Sequence, residues 1–184
     1  MKILIDVMGG DNAPQVPVEA AVKAANELGV HMVLIGDTDT INNELKKYTY
    51  PEENISIVHA SEVISNHEEP AKAVRRKKDA SVVVAANLLK KGEGDAMISM
   101  GSTGALLTAG LLIVGRIKGI LRPVLAATLP TAQGPKLLAD SGANTNCRPM
   151  NLVQFGDMGD IYMRHLFGME NPRVALISNG EEEG

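Results

Sequence analysis

Short apolar runs alternate with helix-patterned stretches along almost the whole chain, and that alternation leaves few folds open. "KILIDV" (2–7) reads as a buried strand, and 14–28 as a helix with Ala20, Ala21, Ala24, Ala25 and Leu28 on one face, closed by Gly29. "HMVLIG" (31–36) is the next strand, followed by a helix through Lys47 capped by Asp37 or Thr38. "NISIVHA" (54–60) is a third strand, and two helices follow, 68–78 and about 81–91. The first of these has acids at its start, Pro70 in its first turn and "RRKK" near its end, the charge order that complements a helix dipole. "DAMISM" (95–100) is a strand, and 103–117 is a helix apolar nearly all round, a pattern that predicts burial. "PVLAATLP" and "PKLLAD" predict a hairpin around "TAQG". A helix over 151–167 carries Gly156 and Gly159, small enough for close helix contact, and "RVALIS" (173–178) reads as a last strand. Strands separated by crossover helices predict a doubly wound, mostly parallel α/β sheet, with the hairpin as its antiparallel interruption.

The 184 residues fit one domain or a large part of one. A strand at 173–178 would lead through "SNGEEE" into another crossover helix, with Glu181, Glu182 and Glu183 in its first turn. The expectation is therefore the N-terminal part of a single α/β enzyme domain. With 3% aromatic residues and no Trp, the core must be aliphatic and a base-stacking surface is excluded. A net charge of −4 gives no basic footprint for nucleic acid. One cysteine, Cys147, rules out an internal disulfide framework. "ALLTAGLLIVG" is far short of the ~20 residues that cross a bilayer. His31, His59, His67 and His165 show no metal-ligand spacing, so no metal or redox cofactor is expected.

In an open α/β sheet, ligands sit outside the carboxyl ends of the strands, which directs attention to the turns. The first strand delivers Asp6, Gly9, Gly10 and Asp11, the second "GDTD", and the strand at 95–100 delivers "GSTG". The "PKLLAD" strand delivers Asp140, Gly142, Asn144, Asn146 and Arg148. In "GSTG", glycines bound two hydroxyls at the start of a helix, where free N–H groups and the dipole favour an anion. The plainer reading is that Ser102 caps the helix. Asp11 reads as crevice residue or helix cap, Asp140 as site carboxylate or Asx-turn. "RRKK" reads as a solvated helix face or an anion contact. There is no Walker loop and no G-x-G-x-x-G.

Taken together, "MGGDNAP", "EEPAKAVRRKKDAS", "SMGSTGALLTAGLLIVGRIKGILRP", "DSGANTNCRP" and "ISNGEEEG" resemble, in order, the bacterial phosphate acyltransferase (PlsX) family over nearly the whole chain. The resemblance implies a fold like isocitrate/isopropylmalate dehydrogenase and phosphotransacetylase. It implies conversion of acyl-[acyl-carrier-protein] and inorganic phosphate to acyl phosphate and free carrier protein, feeding phospholipid synthesis. It also implies a cytoplasmic homodimer, peripheral at the membrane, with no cofactor. On this resemblance Gly101, Ser102, Thr103 and Gly104 are expected to bind phosphate, with Asn144, Thr103 and Asp140 at the reacting centre. Asp6, Gly9, Gly10, Asp11 and Gly142 would line the crevice, and Arg75 and Lys77 would meet phosphate or the acidic carrier protein. Met100 and Ser102 stand where the family commonly has alanine and asparagine, and Ser178 where asparagine is usual. The alternatives are a phosphotransacetylase-like enzyme acting on acyl-coenzyme A, a decarboxylating dehydrogenase of the same fold group, and an acyl-carrier-binding protein without activity.

Overall fold

The structure is a computed structural model that describes residues 1–144 and 146–178. It contains two compact units, Met1–Gly115 and Arg116–Gly184. In the first, β1 (Lys2–Asp6), β2 (His31–Gly36), β3 (Ile55–His59) and β4 (Ala96–Ser99) form one parallel sheet in the order β3-β2-β1-β4. The helices are α1 (Gln15–Leu28), α2 (Thr38–Leu45), α3 (Pro70–Arg76), α4 (Ser81–Lys90) and α5 (Thr103–Ala109). A single π-turn over Gly110–Val114 prolongs α5.

Two-residue alternation along the strands sends side chains to both faces of this sheet, and helices cover both faces over β1 and β2, while Ile98 of the edge strand β4 is exposed. Ile3, Ile5, Val7, Met32 and Leu34 pack with Val18, Ala21, Val22 and Ala25 of α1 and with Ile41 and Leu45 of α2. Leu4, Val33 and Ile35 pack with Ala85 of α4 on the other face. A third cluster joins α3, α4 and α5 through Val74, Val82, Val83, Ala105 and Ala109. The parallel, two-sided expectation is met.

Three local expectations are corrected. The buried face of α1 runs through Pro17, Val18, Ala21, Val22 and Ala25, because the branched side chains fill the space under the sheet, and Leu28 is exposed. The helix expected over 103–117 stops at Gly115, whose φ of 95° suits glycine. It is also only half-buried: Ala105 and Ala109 face the core while Leu111, Leu112 and Val114 are exposed. Residues 173–178 are not a strand. They carry no strand assignment, and Val174, Leu176 and Ile177 are exposed. The turn expected beyond them, 179–184, lies outside the described residues.

In the second unit, β5 (Ala126–Leu129) and β6 (Lys136–Ala139) form a separate antiparallel pair, closed by a turn in which Thr131 Oγ1 donates to the Gly134 carbonyl at 2.7 Å. Helix α6 (Pro149–Phe167) packs on this hairpin, with Gly159 against Leu137 and with Phe155 and Met163 buried. Asn151 closes its start by accepting the Arg148 N–H at 2.9 Å. Among the described residues no helix is long and apolar enough to cross a membrane.

Candidate functional site

The chain runs from β1 to β2 to β3 on one side, then returns to lay β4 on the other side of β1. The strand order therefore reverses between β1 and β4, the topological switch point where α/β sheets open a crevice. The turns that flank it are those of Asp6–Gly10 and Ser99–Ser102.

Asp6 and Ser99 are the last register pair of the β1–β4 ladder. Asp6 is buried, 3% exposed, and its carboxylate is fully engaged. Oδ1 accepts the Met8 N–H at 3.2 Å and Oδ2 accepts the Ser99 hydroxyl at 2.7 Å. Ser99 Oγ in turn accepts the Gly101 N–H at 3.1 Å. The two turns then touch through glycine. A Cβ on Gly9 would lie 2.8 Å from Asp6 Oδ2 and from the Gly101 nitrogen, so only a hydrogen fits there. Gly10 takes a φ of 100° beside the Met100 carbonyl.

The start of α5 serves two purposes. Ser102 Oγ accepts the Ala105 N–H at 3.3 Å, the capping role. Its presence where the family commonly has asparagine is accommodated, because both residues cap helices well. The N–H groups of Ser102, Thr103 and Gly104 have no acceptor among the described residues, and the Thr103 side chain is exposed. These three amides and one hydroxyl are the donor set that suits an anion. Gly101 contributes differently from the expectation, since its amide is spent on Ser99. Gly104 has a packing reason: a Cβ there would sit 2.6 Å from Pro70 Cγ at the start of α3.

The other nominated residues of the first unit have partners or exposure of their own. Asp11 is exposed and does not cap α1, whose N-cap is Pro14. Asp37 of "GDTD" caps α2, accepting the Thr40 hydroxyl at 2.5 Å and the Thr40 N–H at 2.9 Å. Those two bonds hold its carboxyl below the usual value. Lys77 is committed: its Nζ donates to Glu68 Oε1 and to the Val63 carbonyl, each at 2.7 Å. That bond, with the Ser65 N–H, holds the Glu68 carboxyl below its usual value. Arg75 is exposed and forms no ion pair among the described residues.

Within the second unit, Asp140 organises the loop after β6. Its oxygens accept the N–H groups of Leu125 at 2.7 Å, Asn144 at 2.8 Å and Gly142 at 3.2 Å. Partial burial pushes its pKa up, but these backbone bonds, with Ala143, outweigh it and hold the carboxyl below the usual range. Asn144 donates its side-chain amide to the Pro123 carbonyl at 3.0 Å, and Cys147 is half-buried behind it.

Sequence reasoning passed over Ser99, which ties the two turns together. The available signal was its position as the last residue before "MGSTG", but its partner only emerges once β4 is placed beside β1.

The family described as fatty acid synthesis protein matches residues 1–184. The chain is 52% identical over its whole length to a phosphate acyltransferase of Clostridioides difficile, covering 54% of that protein. It is 51% identical to one of Alkaliphilus oremlandii, covering 55% of it. The chain thus spans about half the length of the curated relatives it matches. Among solved structures, a phosphotransacetylase from Streptococcus pyogenes aligns with all of this chain and 60% of its own, at a TM-score of 0.72 and 20% identity. A branched-chain phosphotransacylase from Enterococcus faecalis aligns at a TM-score of 0.54 and 19% identity. These two likenesses establish the α/β fold.

Proposed function

This chain belongs to the fatty acid synthesis protein family, and from that premise we propose that the whole protein is an acyltransferase moving an acyl group from acyl-[acyl-carrier-protein] to inorganic phosphate. The name of the reaction rests on the phosphate acyltransferases that share half its residues. The observation that carries its location is the set of unpartnered amides at Ser102, Thr103 and Gly104, beside the switch point.

The chemistry asks little of the protein. Phosphate is already a nucleophile near neutral pH, and a thiol of pKa ~8.5 is a good leaving group. A phosphate oxygen attacks the thioester carbonyl carbon, a C–O bond forms, the C–S bond breaks, and the carrier-protein thiolate leaves. Catalysis then consists of holding phosphate against the carbonyl and stabilising the developing oxyanion. Backbone amides and the Thr103 hydroxyl supply such donors without a metal or redox cofactor. Direct attack by phosphate, without an acyl-enzyme, is part of this reading. Asp6, Gly9, Gly10 and Gly101 shape the crevice wall. On the family resemblance Asn144 and Asp140 join Thr103 at the reacting centre and Gly142 lines the crevice, with Asp140 also ordering their loop, and Arg75 meets the acidic carrier protein. The same reading places both compact units in a single longer α/β enzyme, active as a homodimer and peripheral at the membrane.

The test is free-thiol release by the full-length protein with acyl-carrier protein, with and without phosphate. Release that requires phosphate is expected. Release from acyl-coenzyme A alone would assign the phosphotransacetylase-like activity instead, and binding of the carrier protein without release would leave a non-catalytic binder. Thr103→Val should raise the KM for phosphate about 3- to 10-fold by removing one hydrogen-bonding group. Unchanged phosphate dependence would remove Thr103 from the site.

A further inference from the structure

We propose that Ser99 is the positioning residue of this site: its hydroxyl locks the β4–α5 turn onto the buried carboxylate of Asp6, and phosphate binding depends on that lock. The inference rests on the reading above, which places phosphate at Ser102–Gly104.

The direction of the network follows from the chemistry of its members. A carboxylate only accepts, and a hydroxyl has one proton and two lone pairs. The 2.7 Å bond to Asp6 Oδ2 therefore takes the Ser99 proton, and a lone pair remains for the Gly101 N–H at 3.1 Å. With its only proton committed, Ser99 has none to give a substrate oxygen. It acts through Gly101 rather than on the reacting atoms.

Its position explains why the lock is needed. Asp6 and Ser99 are the final pair of the parallel ladder, separated by 93 residues of chain. Beyond them each strand leaves the sheet as a turn, and no ladder bond holds one turn to the other. What remains is the approach of Gly9 to Gly101 and of Gly10 to Met100, close packing that carries no hydrogen bond and is therefore undirected. The Ser99 hydroxyl is the directional tie. It fixes the plane of the Met100–Gly101 peptide, and from there the chain runs through Ser102 into the three unpartnered amides.

Removing the hydroxyl would leave one buried group and one half-buried group short of a partner. Asp6 Oδ2 would lose its only donor in the described structure, and the Gly101 amide its only acceptor. The turn would respond by rotating the Gly101 peptide, and a small rotation there misaims every amide beyond it. Such effects on a supporting residue reach 10-fold or more at well-ordered sites.

The experiment uses the full-length protein and compares Ser99→Ala with Ser99→Thr, which keeps the hydroxyl. Two readouts are taken, the Kd for inorganic phosphate by calorimetry and the separate KM values for phosphate and for acyl-carrier protein. Ser99→Ala should weaken the phosphate Kd and raise the phosphate KM about 10-fold. The acyl-carrier KM should change less than about 2-fold, and Ser99→Thr should return phosphate binding to within about 3-fold of the parent. A general packing defect would raise both KM values together, and that result overturns the proposal. So does a phosphate Kd that Ser99→Ala leaves unchanged, failure of Ser99→Thr to restore it, or a parent protein that binds no phosphate. A parent that binds phosphate but releases no thiol defeats the acyltransferase reading alone. The Kd comparison then still decides the role of Ser99.

Discussion

The two compact units secure their functional-looking turns by opposite means. In the first, Gly9 and Gly101 meet across two strands, over a sheet covered on both faces at β1 and β2. In the second, the loop after β6 is held by one carboxylate, Asp140, that gathers backbone amides from Leu125 to Asn144. The first arrangement depends on the absence of side chains and on long-range packing. The second depends on one ionised group that ties its own loop to Leu125 at the start of the hairpin. The difference teaches where each unit is fragile: the first to added volume or lost core, the second to lost charge.

Core truncation should show the widest separation. Leu34 is fully buried at the centre of the parallel sheet, while Leu137 of β6 is half-buried. Leu34→Ala should cost about 2–5 kcal/mol and Leu137→Ala about 1 kcal/mol, read from urea midpoints. Equal losses would mean that the hairpin unit carries as much core as the sheet. Gly9→Ala comes next. Its methyl would press on the Gly101 backbone, which cannot swing aside as a side chain would. A cost of about 1–3 kcal/mol is expected, whereas Gly142→Ala meets open space and pays only for its φ of 110°. If Gly9→Ala proves as mild as an exposed substitution, the close approach of the two turns is wrong.

The charge side of the comparison is tested at Asp140. Its folded carboxyl titrates below the unfolded value of about 3.9. Its contribution is therefore complete above that pH and is lost as pH falls through the folded value. Asp140→Asn should cost about 1–3 kcal/mol at pH 7, because an amide donor then faces backbone donors. The gap between parent and variant should narrow in urea titrations repeated near pH 3. A gap that stays constant with pH would show that the carboxylate's charge plays no part.

The same contrast accounts for what the sequence disclosed. The four parallel strands were legible to within a residue or two, because each is a dense apolar run closed by glycine or a polar turn. Their order was not, since "KILIDV" does not say which strand lies on either side. Ser99 escaped notice for that reason, as its meaning comes from standing opposite Asp6. Apolarity alone also misled at 103–117 and 173–178, where runs that looked like buried elements have exposed faces among the described residues. The local devices fared better. The Asp37 cap, the "TAQG" turn and the bonds of Asp140 to Gly142 and Asn144 need only neighbouring residues, so the chain announces them, whereas the Asp140 bond to Leu125 needs β5 beside β6. At "GSTG" the capping reading holds, and the amides that the cap leaves unpartnered are where the proposed anion site would be.

The smallest effects should come from the ion pairs, and they sharpen the same distinction. Lys77 in the first unit reaches Glu68, nine residues away, with both side chains about one-third exposed, and it also holds the Val63 carbonyl. Arg164 on α6 meets Asp160 one helical turn earlier, with its side chain 46% exposed. The first bond closes a loop and is partly shielded; the second lies along α6, and Arg164 also donates to the Glu170 carbonyl just past the helix end. Lys77→Met should cost about 1 kcal/mol and Arg164→Met about 0.3–0.5 kcal/mol in low salt. Raising the salt to 1 M shrinks the Debye length to about 3 Å, which should trim the more exposed Arg164–Asp160 pair more than the partly shielded Lys77–Glu68 pair, while the carbonyl bond that each cation also makes persists. If both effects vanish together, the Lys77 contact is a surface pair like the other, and α3 is held only by its apolar face and the Pro70–Gly104 contact.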